Sequence, residues 1–333
     1  CGLERVYSIE DGRSMGLVGM IRDMMHRADR STIALDSPLP EGLFQRQARD
    51  VARAITLLES LHGVNDSERL ADCRETLKKR MDGKGPKTVG ITGTGGAGKS
   101  SLTDELVRRL LDQFPDRTVA ILSVDPSRRR TGGALLGDRI RMNAVHGPRV
   151  FMRSMATRRA HLATAGAVQD ALLALRSAGY DLVILETAGI GQSDSEVVDL
   201  CDLPLYVMTP EYGAPSQLEK IDMLDFAHAI VLNKADKRGS EDALRDVRKQ
   251  YQRNRQLFDV EMDDLPVFLT AASRFADPGV DHLFQWMASE LGKLEERNWA
   301  PLPMPERLSN TPTVVPGDRV RYLAEISETI REY

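Results

Sequence analysis

The chain has 333 residues, of which 41% are hydrophobic, so it can bury a full-sized core and is larger than a single small module. Its formal net charge of −4 gives no sign of the large basic surface that nucleic-acid binding requires. No apolar run approaches the ~20 residues of a membrane span, and no signal-peptide pattern opens the chain. These features predict a cytoplasmic protein with neither nucleic acid nor membrane among its partners.

Cysteine usage points to a reducing compartment. The three cysteines, Cys1, Cys73 and Cys201, are too widely separated to build a local disulfide framework or a CxxC site. The chain also opens on Cys1 rather than on Met. We therefore expect it to be a fragment of a larger protein.

The first part of the chain, from about residue 15 to 82, is predicted to be helical. Apolar side chains recur there at alternating spacings of four and three, as on one face of a helix. These side chains are Phe44, Ala48, Val51, Ile55 and Leu58. The glycines and proline of residues 82–86 then break the pattern.

From residue 86 to about Leu294, short apolar runs alternate with helical stretches, which predicts a parallel sheet. The runs predicted to be strands are Thr88–Thr92, Thr118–Val124, Val150–Arg153, Asp181–Glu186, Leu203–Thr209, Ala229–Asn233 and Val267–Thr270. Ligands bind beyond the carboxyl ends of such strands, so the polar residues found there are the candidates for a site. After Leu294, a proline-containing stretch and a last amphipathic helix predict a linker and a docking helix.

The segment 93–100 has the sequence GTGGAGKS, which matches the phosphate-binding pattern GxxxxGK[ST] between a predicted strand and a predicted helix. Glycines let backbone N–H groups converge on phosphates, and the helix N-terminus adds positive potential. Lys99 is predicted to reach the β- and γ-phosphates and the Ser100 hydroxyl to coordinate Mg²⁺. The loop residues predicted to bind nucleotide are Gly95, Gly96, Ala97, Gly98, Lys99, Ser100 and Ser101.

The motif predicts the fold class, an α/β P-loop NTPase with a mostly parallel sheet of about seven strands, helices on both faces, and helical N- and C-terminal extensions. The predicted division is a helical linker region at 1–84, a P-loop GTPase domain at 85–297, and a linker with a docking helix at 298–333.

Base recognition is predicted at residues 233–236, NKAD, which follow a hydrophobic strand and match the pattern NKxD. The Asp236 carboxylate can accept hydrogen bonds from N1–H and the 2-amino group of guanine, a donor pair that adenine lacks. An unmatched buried carboxylate is costly, so ATP should be rejected by several kcal/mol. The residues predicted to hold the base are Asn233, Lys234 and Asp236, with Ala272 and Ser273 after the next strand in support.

Glu186 ends the fourth predicted strand in the sequence ETAG, where P-loop enzymes place an acid that engages Mg²⁺ through water. Gly189 of the same motif is predicted to sense the γ-phosphate through its N–H. Ile190 follows Gly189, so the water-orienting Gln that many small GTPases carry there is missing. Water positioning must come from elsewhere.

Two aspartates are candidates for that role. Asp125 ends the second strand and Asp138 follows it in the sequence LGD, and either could hold Mg²⁺ or water. Both have a structural alternative, since Asp commonly caps turns and opens helices. The residues predicted to be catalytic are Lys99, Asp125, Asp138 and Glu186, and the predicted metal ligands are Ser100, Asp125, Asp138 and Glu186.

From Thr88 to about Asp236 the sequence resembles the GTPase chaperones of methylmalonyl-CoA mutase and their fused relatives. The segments that carry the resemblance are GITGTGGAGKSSL, SVDPSRRRTGGALLGDRIRM, VILETAGIGQSDSEV and VLNKAD. The flanks YSIEDGR and MGLVGMI, within residues 1–22, resemble the linker that leaves the cobalamin domain in fused isobutyryl-CoA mutases. The family also moves a loop that falls here on residues 211–220, in which Gln217 matches a polar position.

The resemblance implies GTP/GDP and Mg²⁺ as ligands, and GTP hydrolysis coupled to loading, retention or repair of adenosylcobalamin. No DxHxxG cobalamin motif occurs in this sequence, so the resemblance implies that adenosylcobalamin is bound only by partner domains outside this chain. The implied partners are the cobalamin-binding and substrate-barrel domains of an acyl-CoA mutase in the same polypeptide. Further candidate partners are an ATP:cobalamin adenosyltransferase and a second copy of this chain.

Two other functions stay open at this point. A nickel-insertion GTPase shares the ExxG feature, although the six histidines and three cysteines show no ligand spacing. A nucleotide-binding module could also fix the geometry of neighbouring domains without significant turnover.

Overall fold

A computed structural model of the chain describes residues 5–29, 33–81, 85–126, 142–157, 162–187, 194–213, 215–219, 221–295 and 298–301. It divides into two compact units, one formed by Cys1–Gly85 with His161–Gly179 and the other by Pro86–Ala160 with Tyr180–Tyr333. The first unit is helical, and the second contains a seven-stranded sheet.

The helices of the first unit are α1 (Ile9–Ala28), α2 (Ala48–Gly63), α3 (Ser67–Met81) and α5 (Leu162–Ser177). A capping box between Ser8 and Asp11 begins α1, and Gly16 interrupts this helix with a φ of 63°. A short 3₁₀ helix, Glu41–Gln45, precedes α2.

The predicted apolar face of α2 is only partly correct. Val51, Ile55 and Leu58 are fully buried, as the spacing requires. Ala48 is exposed in the first turn, and Phe44 lies before the helix in the 3₁₀ segment, where the Arg80 guanidinium stands 5.1 Å from its ring centroid. The buried apolar face of the helix therefore begins at Val51.

The strands of the second unit are β1 (Thr88–Gly93), β2 (Val119–Pro126), β3 (Val150–Thr157), β4 (Leu182–Thr187), β5 (Leu203–Met208), β6 (Ala229–Asn233) and β7 (Val267–Thr270). Their order in the sheet is β3-β2-β4-β1-β5-β6-β7, and the pairings are parallel. The predicted parallel sheet of about seven strands is confirmed. The helices of this unit are α4 (Lys99–Gln113), α6 (Pro215–Leu218), α7 (Met223–Phe226), α8 (Ser240–Arg255) and α9 (Pro278–Leu294).

Strand β5 shows how both faces of the sheet are covered, because alternate side chains of a strand leave on opposite faces. Leu205 and Val207 are buried in an apolar cluster with α4 and α9. Tyr206 and Met208 are buried in a second cluster with α7 and α8. Helices therefore lie on both faces of this part of the sheet, as predicted.

The candidate residues lie at the end of the sheet that is formed by the carboxyl ends of its parallel strands. The chain passes from β1 through α4 to β2 on one side, whereas β5, β6 and β7 extend the sheet on the other side of β1. Open α/β sheets bind ligands where the order reverses, outside the carboxyl ends of the strands. The loop between β1 and α4 lies at this position.

Candidate functional site

The predicted phosphate-binding loop begins at Gly93, the last residue of the central strand. Gly93 has a φ of 141°, and a Cβ atom at this position would collide with the carbonyl oxygen of Val207, so only glycine fits. The Thr94 N–H donates to the same oxygen at 3.0 Å and fastens the loop to β5. A Cβ atom on Gly95 or Gly96 would meet no atom within 4 Å. The middle of the loop therefore has room for a phosphate to approach its backbone.

Helix α4 begins at Lys99, directly after Gly98, whose φ of 87° closes the loop. The Lys99 amino group, with 8% of the residue exposed, donates to the carbonyl oxygens of Gly93 and Thr94 at 3.0 Å each. These bonds fix a positive charge on the loop, and the N-terminus of α4 adds positive potential. Both features favour the binding of an anion.

The candidate metal ligands lie on α4 and on the strands β4 and β2, which pair with each other. The Ser100 hydroxyl donates to Glu186 Oε1 at 2.6 Å, and Glu186 is buried in β4. Asp125 is buried in β2, two residues beyond Ser123, which is the register partner of Glu186. A hydroxyl and two carboxylates are the hard oxygen ligands that Mg²⁺ prefers, so the chemistry of these groups fits this ion.

Asn233 joins the two halves of the predicted site. It is buried at the end of β6, and its Nδ2 donates to the Ala97 carbonyl of the phosphate-binding loop at 2.8 Å. Its Oδ1 accepts from the Thr270 hydroxyl at 3.1 Å and from the Ala272 N–H at 3.0 Å. One side chain thus connects the loops that follow β1, β6 and β7.

The rest of the predicted base-binding segment lies in the turn after Asn233. Lys234 has a φ of 65°, and the Ala235 N–H donates to the Thr270 carbonyl at 2.9 Å. Asp236 and Ser273 are exposed at the surface, where a ligand can reach them. Thr270 belongs to no recognised motif, and the only signal in the sequence is that it is a polar residue at the end of a predicted strand.

The loop predicted to move begins beside the turn that is predicted to bind the base. Glu211 forms an ion pair with Lys237, which follows Asp236 directly in the chain. The hydrogen bond from Lys237 lowers the pKa of Glu211 to about 2. Gln217 lies exposed in α6, and its contact with nucleotide stays a prediction.

Asp138 and Gly189 lie outside the described residues, so their predicted roles rest on sequence alone. Among the residues that the structure does describe, no group of three or more His, Cys, Asp or Glu side chains has metal-binding geometry. Over the same ranges, none of the helices combines the length and apolar character that crossing a membrane requires.

A glycine-rich loop between the central parallel strand and a helix, with Lys and Ser opening that helix, defines a P-loop nucleotide-binding protein. The solved structure of the LAO/AO transport system kinase has the same fold, with a TM-score of 0.50, 23% sequence identity and coverage of 77% of each chain. The family model of the methylmalonyl Co-A mutase-associated GTPase MeaB matches residues 51–297. The chain belongs to this family.

Two fused isobutyryl-CoA mutases are among the similar proteins. The protein from Geobacillus kaustophilus is 48% identical over 335 residues, which cover 100% of this chain and 31% of that protein. The protein from Cupriavidus metallidurans is also 48% identical, over 337 residues that cover 100% of this chain and 30% of that protein. The chain thus spans about a third of the length of these relatives.

Proposed function

We propose that this chain binds GTP with Mg²⁺, hydrolyses it to GDP and phosphate, and thereby gates the loading, retention or repair of adenosylcobalamin in an acyl-CoA mutase of the isobutyryl-CoA mutase type. The observation that carries the proposal is the Asn233 side chain, which ties the NKAD turn to the phosphate-binding loop. A nucleotide with its phosphates on that loop would then have its base beside Asp236.

Phosphate binding is assigned to the backbone N–H groups from Gly95 to Ser101 and to the Lys99 amino group. Mg²⁺ would be held by the Ser100 hydroxyl and the carboxylates of Glu186 and Asp125, with Asp138 as a further ligand. When bound, this ion would offset negative charge on the phosphates. Gly189 and Gln217 complete the proposed set of residues that sense the γ-phosphate and the nucleotide state.

Base selection is assigned to the Asp236 carboxylate, which accepts from N1–H and the 2-amino group of guanine. Lys234 and the segment from Ala272 to Ser273 would support the ring. Adenine offers a 6-amino donor where guanine offers an acceptor, so it leaves polar groups of the site unpaired. The site should therefore favour GTP over ATP.

The proposed partners are the cobalamin-binding and substrate-barrel domains of the mutase, in the same polypeptide. The relatives named as fused isobutyryl-CoA mutases support this, because the matched part is about a third of their length. An ATP:cobalamin adenosyltransferase and a second copy of the chain are further proposed partners. A segment ordered by nucleotide can bias them only through contacts that differ between the two states.

We expect slow hydrolysis by the chain alone, because Ile190 stands where many small GTPases carry the Gln that orients water. Phosphate release should be measured for the chain alone and with mutase domains present, and those domains should accelerate it. Lys99→Ala should abolish release, whereas Lys293→Ala, which changes an exposed lysine of α9, should not. Fast turnover by the isolated chain would contradict this account.

Coupling to the cofactor needs a separate experiment. Transfer of adenosylcobalamin to mutase domains carrying this chain should depend on GTP, and Lys99→Ala should remove that dependence. If Lys99→Ala loses nucleotide but cofactor transfer is unchanged, the chain is a structural module and the gating role is wrong.

A further inference from the structure

Asp277 holds the loop that follows β7 at Ala271, the residue before the one that Asn233 holds. It is buried, and its Oδ2 accepts from the Ala271 N–H at 3.1 Å and from the Val280 N–H at 3.0 Å. The second bond caps the N-terminus of α9, where a carboxylate is favoured. A single carboxylate oxygen therefore fixes both the base-side loop and the start of this helix.

Arg109 connects the same point to α4, the helix that begins with Lys99. Its guanidinium is buried and donates to the Asp277 carbonyl oxygen at 3.2 Å and to Asp281 Oδ1 at 2.6 Å. It also pairs with Glu105 on α4 itself. The planar, forked guanidinium suits several fixed acceptors at once, so this contact orients α9 against α4.

These contacts form a closed circuit of hydrogen bonds through the loops that are proposed to bind the nucleotide. Ala271 is bonded to Asp277, and the next residue, Ala272, is bonded to Asn233. Asn233 is bonded to Ala97, two residues before Lys99 and α4. Two consecutive residues, Ala271 and Ala272, are thus held by Asp277 and by Asn233, directly before the exposed residue Ser273.

We infer that Asp277, anchored by Arg109, is a positioning residue that sets the preference for guanine by holding the loop so that the backbone N–H of Ser273 faces O6 of the base. The inference rests on the proposed function and identifies a determinant of specificity that does not touch the nucleotide. O6 of guanine is an acceptor, whereas the 6-amino group of adenine is a donor. A loop held in one conformation presents a donor to O6 and so favours guanine, whereas a loop that can move discriminates less between guanine and adenine.

The test compares the affinities of GTP, ITP and ATP, each with Mg²⁺, for the wild-type chain and for Asp277→Ala. GTP and ITP share O6, and ITP lacks only the 2-amino group that Asp236 reads. Asp277→Ala should therefore weaken GTP and ITP in parallel, by about tenfold if one hydrogen bond to the base is lost. The affinity for ATP should stay the same, so the GTP-to-ATP ratio falls while the GTP-to-ITP ratio does not.

Two further variants separate positioning from stability. Asp277→Asn keeps an acceptor oxygen and should restore most of the GTP-to-ATP ratio. Asp181→Ala is the matched control, because the Asp181 carboxylate also accepts from a backbone N–H, that of Thr118 at 2.9 Å, before the amino ends of β2 and β4. This control should lower the melting temperature but leave the nucleotide ratios unchanged.

A wild-type GTP-to-ATP ratio in Asp277→Ala would overturn the inference and leave the proposed function intact. Equal affinities of the wild-type chain for GTP and ATP would overturn both. If Asp277→Ala does not fold, Arg109→Lys decides by the same criterion, because lysine cannot reproduce the forked contact with Asp277 and Asp281. An unchanged ratio in Arg109→Lys would likewise overturn the inference.

Discussion

Replacing Asn233 by alanine should destabilise the sheet unit strongly, because this side chain joins three loops. The substitution removes the hydrogen bonds to the Ala97 carbonyl, the Thr270 hydroxyl and the Ala272 N–H. Ala97 and Ala272 are buried, with 0% and 6% exposure. Water therefore cannot readily replace the Asn233 side chain as the hydrogen-bond partner of their backbone groups.

The magnitude follows from these contacts. Three hydrogen bonds at a net ~1 kcal/mol each, with the added cost of a buried group left unsatisfied, give a loss of about 3–5 kcal/mol in the free energy of unfolding. For a domain of this size each kcal/mol corresponds to about 2–4 °C, so the melting temperature should fall by roughly 6–20 °C.

The assay is thermal unfolding of the nucleotide-free chain, followed by circular dichroism. Asn254→Ala is the matched control, because the Asn254 amide donates to Asp225 Oδ1 at 2.6 Å on the exposed surface. That exposed bond should contribute within about 0.5 kcal/mol. If Asn233→Ala melts at the temperature of Asn254→Ala, the reasoning that Asn233 joins the site is refuted.

Three further predictions concern ionisable groups. Burial raises the pKa of Cys201 to about 12, so little reactive thiolate is present at pH 8. Mass spectrometry should therefore show slow alkylation of Cys201 in the folded chain and fast alkylation only after unfolding. Rapid labelling of the folded chain would contradict this. Burial acts to raise the pKa of Asp181, but hydrogen bonds, first among them that from the Thr118 N–H, outweigh it and lower the pKa. The ionised Asp181 carboxylate therefore stabilises the fold above its unfolded pKa of about 3.9, and this stabilisation is lost as pH falls through the lower folded pKa. In denaturant titrations, the free energies of unfolding of Asp181→Asn and wild type should differ at pH 6 and converge in acid. A difference that stays constant with pH would refute this. Asp170 is buried, accepts two bonds from Arg74, whose side chain is 39% exposed, and contacts His62 Nε2 at 2.7 Å. Loss of these hydrogen bonds should destabilise the helical unit by about 2 kcal/mol in unfolding experiments on Asp170→Ala, and a loss near zero would argue against an ordered pair.

Much of the fold could be predicted from the sequence, because parallel strands buried on both faces read as continuous apolar runs. The predicted strand Val150–Arg153 is too short, since β3 continues to Thr157. The polar residues Arg153 and Ser154 end the apolar run, so the sequence does not indicate that the strand continues. Pairing with β2 extends the strand past them. The sequence pattern also did not indicate the break of α1 at Gly16.

The candidate site could be predicted where its residues are contiguous in the chain, as in the phosphate-binding loop and the NKAD turn. Residues that are distant in the chain and meet only in the folded structure could not be predicted from sequence motifs. Arg109 and Asp277 are separated by 168 positions, and only the packing of α4 against α9 brings them together. Asp277 before Pro278 predicts no more than the start of a helix.

The central claim is that Asp236 reads a guanine base while the phosphates lie on the loop from Gly93 to Ser100. Isothermal titration of wild type and Asp236→Asn with GTP and with XTP tests it most directly, because xanthine carries an acceptor at position 2 where guanine carries an amino donor. The account predicts that wild type binds GTP more tightly and that Asp236→Asn reverses the order, since its amide can donate to the xanthine oxygen. A wild-type chain without preference, or an Asp236→Asn chain that still prefers GTP, would contradict it.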